Sequence, residues 1–521
     1  MAPTTVLQQK EAGEEDVVVV VVVGAGIAGL AVALGLHRKG VKCRVLESSP
    51  ELRASGFAIA TWRNALQALD ALGVGDKIRK CHLHLQELQV FSSSTGEMSH
   101  TTSLNVQGKR GPNEMLCVRR DWLLRALEEE LPNGTIRYSS KIVEIEEDGD
   151  AKILHLADGA ILRAKVLIGC DGVNSVVAKW LGLTKPSSSG RMATRGLAHY
   201  PDGHGLDPRF KMFVGHGFRA GVIPCNETDA YWFFTWSPSE HDDDALAKKK
   251  QFVLTKLRSA EIPAEVLEVV ERSDAKHVLT APLRFRPPLS LLLASISRGN
   301  VCVAGDALHP MTPDLGQGGC AALEDGVVLA RCLGDAILGG GYCAESERIE
   351  AGLREYARIR RWRSAELIGT AYAVGFMQES SNAVISFLRD NWLAGALACE
   401  EVIAAVSDDE LSGRQSTLAI AASSNSIFAS LSSSVQADGN YSLGRLYRTS
   451  RNLGMKTTAY TGKNVAVTRR CGRARSLGQQ GAWLPQCLYE DFARGGAGVP
   501  LSTDGGGVLI EGRQRQEGGP Q

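Results

Sequence analysis

The chain has 521 residues, enough for two or three domains, and 44% of them are hydrophobic, which is ample for a large core. Lysine plus arginine and aspartate plus glutamate both number 58, so the zero net charge gives no reason to expect nucleic acid or acidic lipid as a partner. The twelve cysteines are scattered singly, which favours reduced thiols over a disulfide or metal framework. We expect residues 1–16 to be a flexible N-terminus, because their composition fits neither a secretory signal nor a clear transit peptide, and no stretch of the sequence reaches transmembrane length. We therefore expect a cytoplasmic protein.

The first predicted element is Val17–Val23, seven valines that fit a strand buried on both faces of a parallel sheet. The strand leads into Gly24, Gly26 and Gly29, spaced as Gly-x-Gly-x-x-Gly at the start of a helix. Such glycines permit the tight turn, the approach of a diphosphate and close packing of helix on sheet, respectively. A second strand places Glu47 at its C-terminal end, where a carboxylate can bind both hydroxyls of an adenosine ribose. We interpret this unit as a site for an ADP-containing dinucleotide, FAD or NAD rather than NADP.

Short helices and strands follow the glycine-rich unit. Arg53 lies in a polar loop, where it either reaches the diphosphate or is a solvated loop cation. Helices are predicted over Asn64–Leu72 and Asp121–Glu130, with strands and loops between them. Turn residues then separate three strand-like segments, which we interpret as a meander: Ile136–Tyr138, Lys141–Glu146 and Lys152–Leu156.

A second buried strand ends in Cys170-Asp171-Gly172 and enters a helix. Beyond it the pattern changes to alternating, aromatic-rich segments interrupted by two helices, which predicts a separate, largely antiparallel sheet. The chain then returns to the first domain through a strand that ends at Gly305-Asp306, and two long helices follow. The predicted fold class is therefore α/β: a Rossmann-like domain with a parallel sheet plus β-meander, an inserted antiparallel substrate domain and C-terminal helices.

The predicted domain boundaries follow these changes in pattern. The dinucleotide-binding domain is assigned to residues 17–185 and 296–345, and the substrate domain to 186–295. The C-terminal helices take 346–410. Residues 411–521 are rich in serine, glycine and arginine, and we expect a low-complexity, disordered tail there.

Three glycine-bearing motifs stand at strand ends in a fixed order: Gly24-Ala-Gly26-Ile-Ala-Gly29, Cys170-Asp171-Gly172, and Gly305-Asp306 followed by Pro313-x-x-Gly316-Gln317-Gly318. This order resembles the FAD-dependent monooxygenases of the aromatic-hydroxylase class, the relatives of para-hydroxybenzoate hydroxylase. The phrases RGLAHYP and GDALHPMTPDLGQGGCAALED look most like the plant monooxygenases related to zeaxanthin epoxidase and urate hydroxylase. The resemblance covers about residues 17–389, and it makes the Rossmann-like domain an FAD-binding domain.

The resemblance implies a role for each motif. Arg120, which matches the family pattern better than Arg119, would reach the cofactor, and Asp171-Gly172 would serve both FAD and NAD(P)H. Asp306 would bond the ribityl chain, and backbone amides near Gly316 would stabilise the negative charge of the reduced flavin. Taken singly, these residues are also compatible with simple turns. The complete set expected to bind FAD is Gly24, Gly26, Gly29, Glu47, Arg53, Arg120, Asp171, Gly172, Asp306, Pro313, Gly316 and Gly318.

The substrate is expected between the flavin and the inserted sheet. Arg195 could pair with an anionic substrate. His309 either touches flavin or substrate or is a turn histidine bonded to backbone; these two are the candidate catalytic residues, and no metal site is predicted. Because side chains alternate along a strand, only some of the candidate liners should face the cavity. The candidates are Arg195, His199, Phe213, Tyr231, Phe233, Trp236 and His309.

The resemblance also implies a reaction. NADPH or NADH would reduce FAD, and O₂ would then form a flavin C4a-hydroperoxide that hydroxylates or epoxidises a small aromatic, heteroaromatic or isoprenoid substrate. No second strand–GxGxxG–helix unit is present, so we expect the nicotinamide to bind only transiently. We expect no nucleic acid or transmembrane partner, and a monomer or homodimer. The alternatives are an FAD-dependent dehydrogenase or reductase without oxygen insertion, and a non-enzymatic FAD-binding interaction protein.

Overall fold

The computed structural model describes residues 17–379 apart from 54–56, 94–95, 105–106, 109–110, 113, 216, 239–247 and 341–342. The predictions for the N-terminus at 1–16, for 380–410 and for the tail at 411–521 lie outside the described residues. In the part of the chain that is described, no helix is long and apolar enough to cross a membrane.

Strands and helices alternate early in the described chain, and strands dominate its middle. The strands are β1 (Val17–Val23), β2 (Arg44–Leu46), β3 (Ala58–Trp62), β4 (Glu87–Ser92), β5 (Met98–Ser103), β6 (Gln107–Gly108), β7 (Gly111–Pro112), β8 (Met115–Arg119), β9 (Ile136–Arg137), β10 (Ile142–Asp148), β11 (Ala151–Leu156), β12 (Ile161–Gly169), β13 (Ser187–His199), β14 (Arg209–Gly215), β15 (Phe218–Pro224), β16 (Asp229–Trp236), β17 (Leu279–Phe285), β18 (Ser297–Arg298) and β19 (Val301–Val303). The helices are α1 (Ile27–Arg38), α2 (Arg63–Leu72), α3 (Gly75–Lys80), α4 (Arg120–Glu128), α5 (Val176–Trp180), α6 (Lys249–Ser259), α7 (Ala264–Arg272), α8 (Pro288–Leu293), α9 (Gly318–Leu338) and α10 (Glu345–Glu379).

The first sheet carries the glycine-rich turn at the end of β1. Its strands run in the order β10-β11-β12-β1-β2-β9, and β19 also pairs with β12. β1 is parallel to β12 and β2, and β12 is parallel to β19. Val20, Val21 and Val22 are fully buried, as a strand covered on both faces requires. The C-terminal ends of β1, β12 and β19 therefore bring the three predicted motifs to one edge of the sheet.

One predicted strand pairs differently from the expectation. The sequence predicts a meander that begins with Ile136–Tyr138, but β9 lies at the far edge of the sheet, parallel to β2, with Ile136 opposite Val45. The antiparallel meander consists of β10, β11 and β12 instead. β9 follows the helix α4, and a strand that follows a crossover helix pairs in parallel. The apolar pattern used for the prediction does not report strand direction.

Helix α1 is enclosed on all sides. Its residues 27–36 are buried, and small residues let α9 approach it closely. A Cβ added at Gly35 would lie 2.6 Å from Ala330 Cβ, and one at Gly326 would lie 2.5 Å from Ala31 Cβ. This packing places the start of α9 beside the glycine-rich turn.

The second sheet has seven strands in the order β17-β13-β16-β15-β14-β4-β5. Its pairs are antiparallel except for β14 with β4, which are parallel with Met212 opposite Val90. β4 and β5 lie within residues 17–185, which the domain boundaries predicted from the sequence assign to the FAD-binding domain. The second sheet is therefore not built from residues 186–295 alone. Apolar contacts explain why β4 joins this sheet, because Leu88 and Val90 of β4 pack in one cluster with Phe210 and Met212 of β14.

One face of the second sheet is covered by helices. Side chains of β16 such as Trp232 and Phe234 pack against α6 and α7 in a single apolar cluster. The opposite face of the second sheet faces the first sheet, across a cavity lined by residues of the second sheet and by residues that follow strands of the first. The predicted α/β class, with a parallel sheet, an antiparallel sheet and a C-terminal helix, is confirmed.

Candidate active site

The glycine-rich turn after β1 is shaped by close backbone contacts. A Cβ at Gly24, where φ is +99°, would lie 2.7 Å from the carbonyl oxygen of Cys170. A Cβ at Gly29 would lie 1.9 Å from the carbonyl oxygen of Gly24, so α1 can approach the turn only with glycine there. Gly26 has open space where its Cβ would point. No protein atom lies close enough to require glycine at position 26, so a ligand has room to approach the backbone there.

Glu47 is buried at the end of β2 and ties that strand to the turn. Its Oε2 accepts a hydrogen bond from the Ala25 amide and its Oε1 one from the Ser49 amide, both at 2.8 Å. Burial raises the pKa of Glu47, but these amides and the Arg53 guanidinium outweigh it and hold the pKa below its ordinary value. Arg53 Nη2 lies 3.1 Å from Glu47 Oε1, and its side chain is 63% exposed. An ionised carboxylate therefore stands beside the turn, with Arg53 as its ion-pair partner.

Arg120 opens α4 and lines a cavity at this edge of the sheet. Its Nε is buried and has no hydrogen-bond partner within the described residues. Burial lowers the pKa of Arg120, and the nearby Asp306 carboxylate opposes that shift. Arg119 lies elsewhere, because it pairs with Asp229 at 2.8 Å and with Asp121 at 2.7 Å. The cavity therefore contains the arginine that the family pattern selected.

The two Asp-bearing motifs follow the neighbouring strands β12 and β19. Asp171 Oδ2 accepts the Val176 amide at 2.7 Å, whereas its Oδ1 is buried and lacks a partner among the described residues. Burial raises the pKa of the Asp171 carboxyl. Gly172, at φ +79°, and Asp306 both line the cavity, and the Asp306 side chain is exposed there. Asp171 does not line the cavity, and its carboxylate instead accepts the first amide of α5.

The loop after the third motif closes the other side of the cavity. A 3-10 turn begins at Pro313, and Gly316 lies in the left-handed region with φ +65°. The Gly316 amide donates to the Pro313 carbonyl at 3.0 Å, so it is used within the loop. Gly318 is the first residue of α9 and lines the cavity. Because first-turn amides have no acceptor inside their helix, the α9 start rather than the Gly316 amide is available to an anion.

Trp62, at the end of β3, holds this loop in place. Its indole Nε1 donates to the Leu315 carbonyl at 3.1 Å. A Cβ at Gly316 would lie 3.3 Å from the same nitrogen, so the indole and the loop backbone are in close contact. Trp62 also lines the cavity, which makes it part of the wall as well as a support.

The cavity has a volume of about 350 Å³ and lies between the two sheets. One wall consists of predicted cofactor-binding residues, namely Gly26, Arg120, Gly172, Asp306, Pro313, Gly316 and Gly318. The opposite wall comes from the second sheet and includes Arg195, Phe210, Met212, Arg219, Tyr231, Phe233 and Thr235. Gly24, Gly29, Glu47, Arg53 and Asp171 support the first wall without lining it.

Alternation along the strands selects among the predicted substrate liners. Arg195, Tyr231 and Phe233 line the cavity, whereas Phe213 and Trp236 lie in the apolar cluster on the opposite face of the sheet. His199 lies outside the cavity too. Its side chain is 62% exposed, and its Nδ1 is 2.8 Å from Asp229 Oδ1.

His309 does not reach the cavity. It is fully buried, and its Nε2 lies 2.7 Å from Asp325 Oδ2. The same carboxylate accepts the Gly305 amide at 2.7 Å and Arg360 Nε at 2.6 Å. The imidazole therefore pairs with a buried carboxylate, and only the His309 main-chain amide bonds the turn, donating to the Gly305 carbonyl at 2.9 Å. His309 belongs to a buried ion cluster behind the Gly305-Asp306 turn.

A second buried ion cluster joins the two walls, and sequence reasoning missed it. Asp314 accepts a bidentate pair from Arg191 at 2.9 Å and a third bond from Arg219 at 3.0 Å. Glu379 at the end of α10 bonds Arg191 and the Thr235 hydroxyl. Two anions thus balance two cations, and the pKa of Asp314 stays below its ordinary value although burial opposes this, because Arg191 and Arg219 stabilise the carboxylate. Its four charged members are far apart in sequence, so no local pattern marks them.

The first wall fits an FAD molecule. The open space at Gly26 next to the α1 start suits a diphosphate, and the ionised Glu47 stands beside the same turn. The unpartnered Nε of Arg120 and the exposed Asp306 offer a donor and an acceptor within one cavity. The amides at the start of α9 would suit the negatively charged edge of a reduced flavin.

Comparisons with known proteins agree with this geometry. The family described as FAD binding domain matches residues 17–368. The chain is 48% identical over 402 residues to Monooxygenase 2 of Arabidopsis thaliana, covering 75% of this chain and 96% of that protein. It is 35% identical over 379 residues to Monooxygenase 1 of the same plant, covering 70% and 92%.

A solved structure supports both the fold and the cofactor. Klebsiella pneumoniae HpxO complexed with FAD and uric acid superimposes with a TM-score of 0.63 at 26% identity, covering 75% of this chain and 96% of that one. The predicted resemblance and the prediction of FAD are confirmed. The chain belongs to the FAD binding domain family, among the FAD-dependent monooxygenases of the aromatic-hydroxylase class.

Proposed function

We propose that this chain uses NADPH or NADH together with O₂ to hydroxylate or epoxidise a small organic molecule. The observation that carries this proposal is that one cavity has the predicted FAD-binding residues on one wall and an aromatic sheet with arginines on the other. A flavin on the first wall would face a substrate on the second. Transfer of one oxygen atom to a bound molecule requires that the flavin and the substrate share such a space.

When bound, FAD supplies electron transfer from the nicotinamide to O₂ and the activation of oxygen. The residues of this chain then have three tasks, which are to hold the cofactor, to orient the substrate and to keep water out. On the cofactor side, Asp306 accepts hydrogen bonds and Arg120 donates them. The amides at the start of α9 hold negative charge on the flavin. In this proposal, the residues on the cofactor side serve to bind and orient FAD.

On the substrate side, Arg195 is the residue to which we assign an anionic group. It lines the cavity, and no ion pair joins it to an acidic side chain of the described residues. Arg219 lines the cavity too, but Asp314 already compensates its charge. Phe210, Met212 and Phe233 supply apolar contacts that exclude water. His309 is not part of this assignment, because it bonds Asp325 behind the wall.

The size of the cavity favours a compact substrate. Small-molecule sites commonly measure about 300–1,000 Å³, and the volume of about 350 Å³ must also admit the flavin ring system. A substrate of one or two rings fits better than a long isoprenoid. Uric acid, which is bound in the Klebsiella HpxO structure, is a molecule of this size and a reasonable first candidate.

Two further parts of the proposal, the binding of the nicotinamide and the cellular compartment, do not rest on the cavity. We propose that NADPH or NADH binds transiently, because the sequence shows one strand–GxGxxG–helix unit. We also propose a reducing compartment such as the cytoplasm, which the free thiols of the described cysteines support. Localisation of a tagged full-length chain tests the compartment directly.

The decisive experiment starts with the visible spectrum of the purified protein. The flavin should bleach when NADPH or NADH is added without air and return when air is admitted. Turnover with uric acid and a panel of phenols, indoles and isoprenoids under ¹⁸O₂ should then place one labelled oxygen in a product. A flavin that bleaches but yields only hydrogen peroxide and unlabelled molecules would favour a reductase. A bound flavin that neither nicotinamide reduces, with any member of the panel present, would refute the proposal and favour a non-enzymatic FAD-binding protein.

A further inference from the structure

Arg286, between β17 and α8, is a buried cation that bonds only to backbone carbonyls. Its side chain is among the largest that are fully buried, at 2% exposure. Its Nε donates to the Leu308 carbonyl and its Nη2 to the Ala307 carbonyl, both at 3.0 Å. Its Nη1 donates to the Thr184 carbonyl, and its own amide donates to the Pro310 carbonyl at 3.0 Å.

Two other arginines with little exposed surface have carboxylate partners. Arg360 pairs with Glu324 and Asp325, and Arg191 pairs with Asp314. Among the described residues, no acidic side chain forms an ion pair with Arg286. A buried charge without an opposite charge is costly. Burial lowers the pKa of Arg286 to about 10, which still leaves it charged at neutral pH.

Two of the carbonyls that the Arg286 side chain bonds, those of Ala307 and Leu308, directly follow Asp306. On the other side of the same turn, Asp325 accepts the Gly305 amide at 2.7 Å, and the Tyr356 hydroxyl donates to the Val303 carbonyl at 3.1 Å. The backbone is therefore held before and after Asp306, while the Asp306 side chain is exposed in the cavity. Arg286 lies outside the cavity wall but directly behind this turn.

We propose that Arg286 is a positioning residue that fixes the turn presenting Asp306 to FAD, and that its uncompensated positive charge favours the reduced, negatively charged flavin. The missing negative charge is then supplied by the cofactor, since FAD carries a diphosphate and gains charge when it is reduced. The inference rests on FAD binding at the cavity. It does not depend on the identity of the substrate or of the nicotinamide.

The test separates the charge of Arg286 from its hydrogen bonds. Arg286→Gln removes the charge and keeps amide donors, whereas Arg286→Lys keeps the charge and loses the planar set of donors. We expect Arg286→Gln to make two-electron reduction of the bound flavin about tenfold less favourable, which corresponds to about 30 mV. Arg286→Lys should stay within threefold of the wild type, and both variants should bind FAD more weakly in titrations of apoprotein.

A matched control is available elsewhere in the chain. Arg361 Nη1 also donates only to backbone carbonyls, those of Leu291, Leu292 and Ala294, and it does not line the cavity. Arg361→Gln should leave the flavin potential unchanged. The potentials are measured by equilibration with reference dyes, with FAD at saturating concentration and with no nicotinamide or substrate present. A failure of the monooxygenase proposal would therefore leave this test intact.

The outcomes decide the proposal. Equal falls in the glutamine and lysine variants would show that hydrogen bonding alone is responsible, and an equal fall in Arg361→Gln would show a general effect of lost stability. No change in either Arg286 variant would also overturn it. If Arg286→Gln does not fold, the lysine variant is sufficient, because a tenfold fall there contradicts a role for the charge and a preserved potential supports it.

Discussion

Replacing Arg360 with methionine should destabilise the protein more than most single substitutions. Arg360 is fully buried in the cluster behind the Gly305-Asp306 turn. Its Nε and Nη1 lie 2.6 Å from Asp325 Oδ1 and Glu324 Oε2, and its Nη2 donates to the Ala321 carbonyl at 3.2 Å. Methionine fills a similar apolar volume but leaves both carboxylates buried without their main cation.

The expected loss follows from that imbalance. Removing one partner of a buried ion pair costs about 3–5 kcal/mol, and Arg363, whose Nη2 lies 3.5 Å from Glu324 Oε1, offsets part of that loss at Glu324. With an unfolding entropy of about 2.1 cal/mol/K per residue over a folded region of about 360 residues, the loss corresponds to a fall of roughly 4–7 °C in Tm. Arg354→Met on the same helix is the matched control. Arg354 is 65% exposed and 3.9 Å from Glu350, so its loss should cost under about 1 kcal/mol.

The pH dependence supplies the sharper test. Burial raises the pKa values of Glu324 and Asp325, but Arg360 and its neighbours outweigh this and hold both below their ordinary values. In the wild type this stabilisation is present above the unfolded pKa values and is lost as the pH falls through the folded ones. Without Arg360, burial dominates, the folded pKa values rise, and protonation relieves the penalty.

The gap between wild type and Arg360→Met should therefore shrink as the pH falls from 7 toward the ordinary carboxyl range of about 4. Urea unfolding followed by tryptophan fluorescence at several pH values measures it. A gap below about 1 kcal/mol, or one that does not change with pH, would refute the reasoning.

Three further changes address the cofactor and substrate walls. Gly29→Ala should cost more than about 3 kcal/mol in urea unfolding, because the added Cβ would lie 1.9 Å from the Gly24 carbonyl oxygen; a stable variant would mean that α1 can shift. Glu47→Gln should weaken FAD binding about tenfold in fluorescence titrations of apoprotein, because the acceptor beside the turn loses its charge, and an unchanged dissociation constant would argue against a ribose contact. Arg195→Gln should raise KM for an anionic substrate about 10- to 100-fold with FAD binding unchanged. The control Arg209→Gln, at a half-buried arginine that does not line the cavity, should change neither; an equal effect of both would contradict the assignment.

The local features of the fold were predictable because each is written within a short stretch of sequence. The valine run, the glycine spacing after it and the Asp306 turn each combine a strand signal with turn residues, and the parallel sheet then brings them to one edge. The sequence pattern predicts a long helix from about Cys320 to Leu338, and α9 ends at Leu338 but begins two residues earlier, at Gly318. Local periodicity and capping determine such elements.

The remaining features depend on pairing between distant segments. The cluster of Arg191, Arg219, Asp314 and Glu379 forms only because β13, β15, a loop and α10 meet. Alternation indicated that some strand residues face the cavity but not which parity, since a shift of one residue exchanges the two faces. From the sequence alone, Trp236 is therefore as good a candidate for lining the cavity as Tyr231, and only the strand register distinguishes them.

The parallel pairing of β4 with β14 has a consequence for how the chain folds during synthesis. The hairpin of β4 and β5 leaves the ribosome well before its partner, because residues 93–208 separate Ser92 from Arg209. Until β14 arrives, β4 presents an unpaired edge with apolar side chains, a surface that invites pairing with other chains. Closing so long a loop is also slow. The second sheet should therefore limit the rate of refolding, and truncation before β14 should yield an aggregating product rather than an isolated FAD-binding unit.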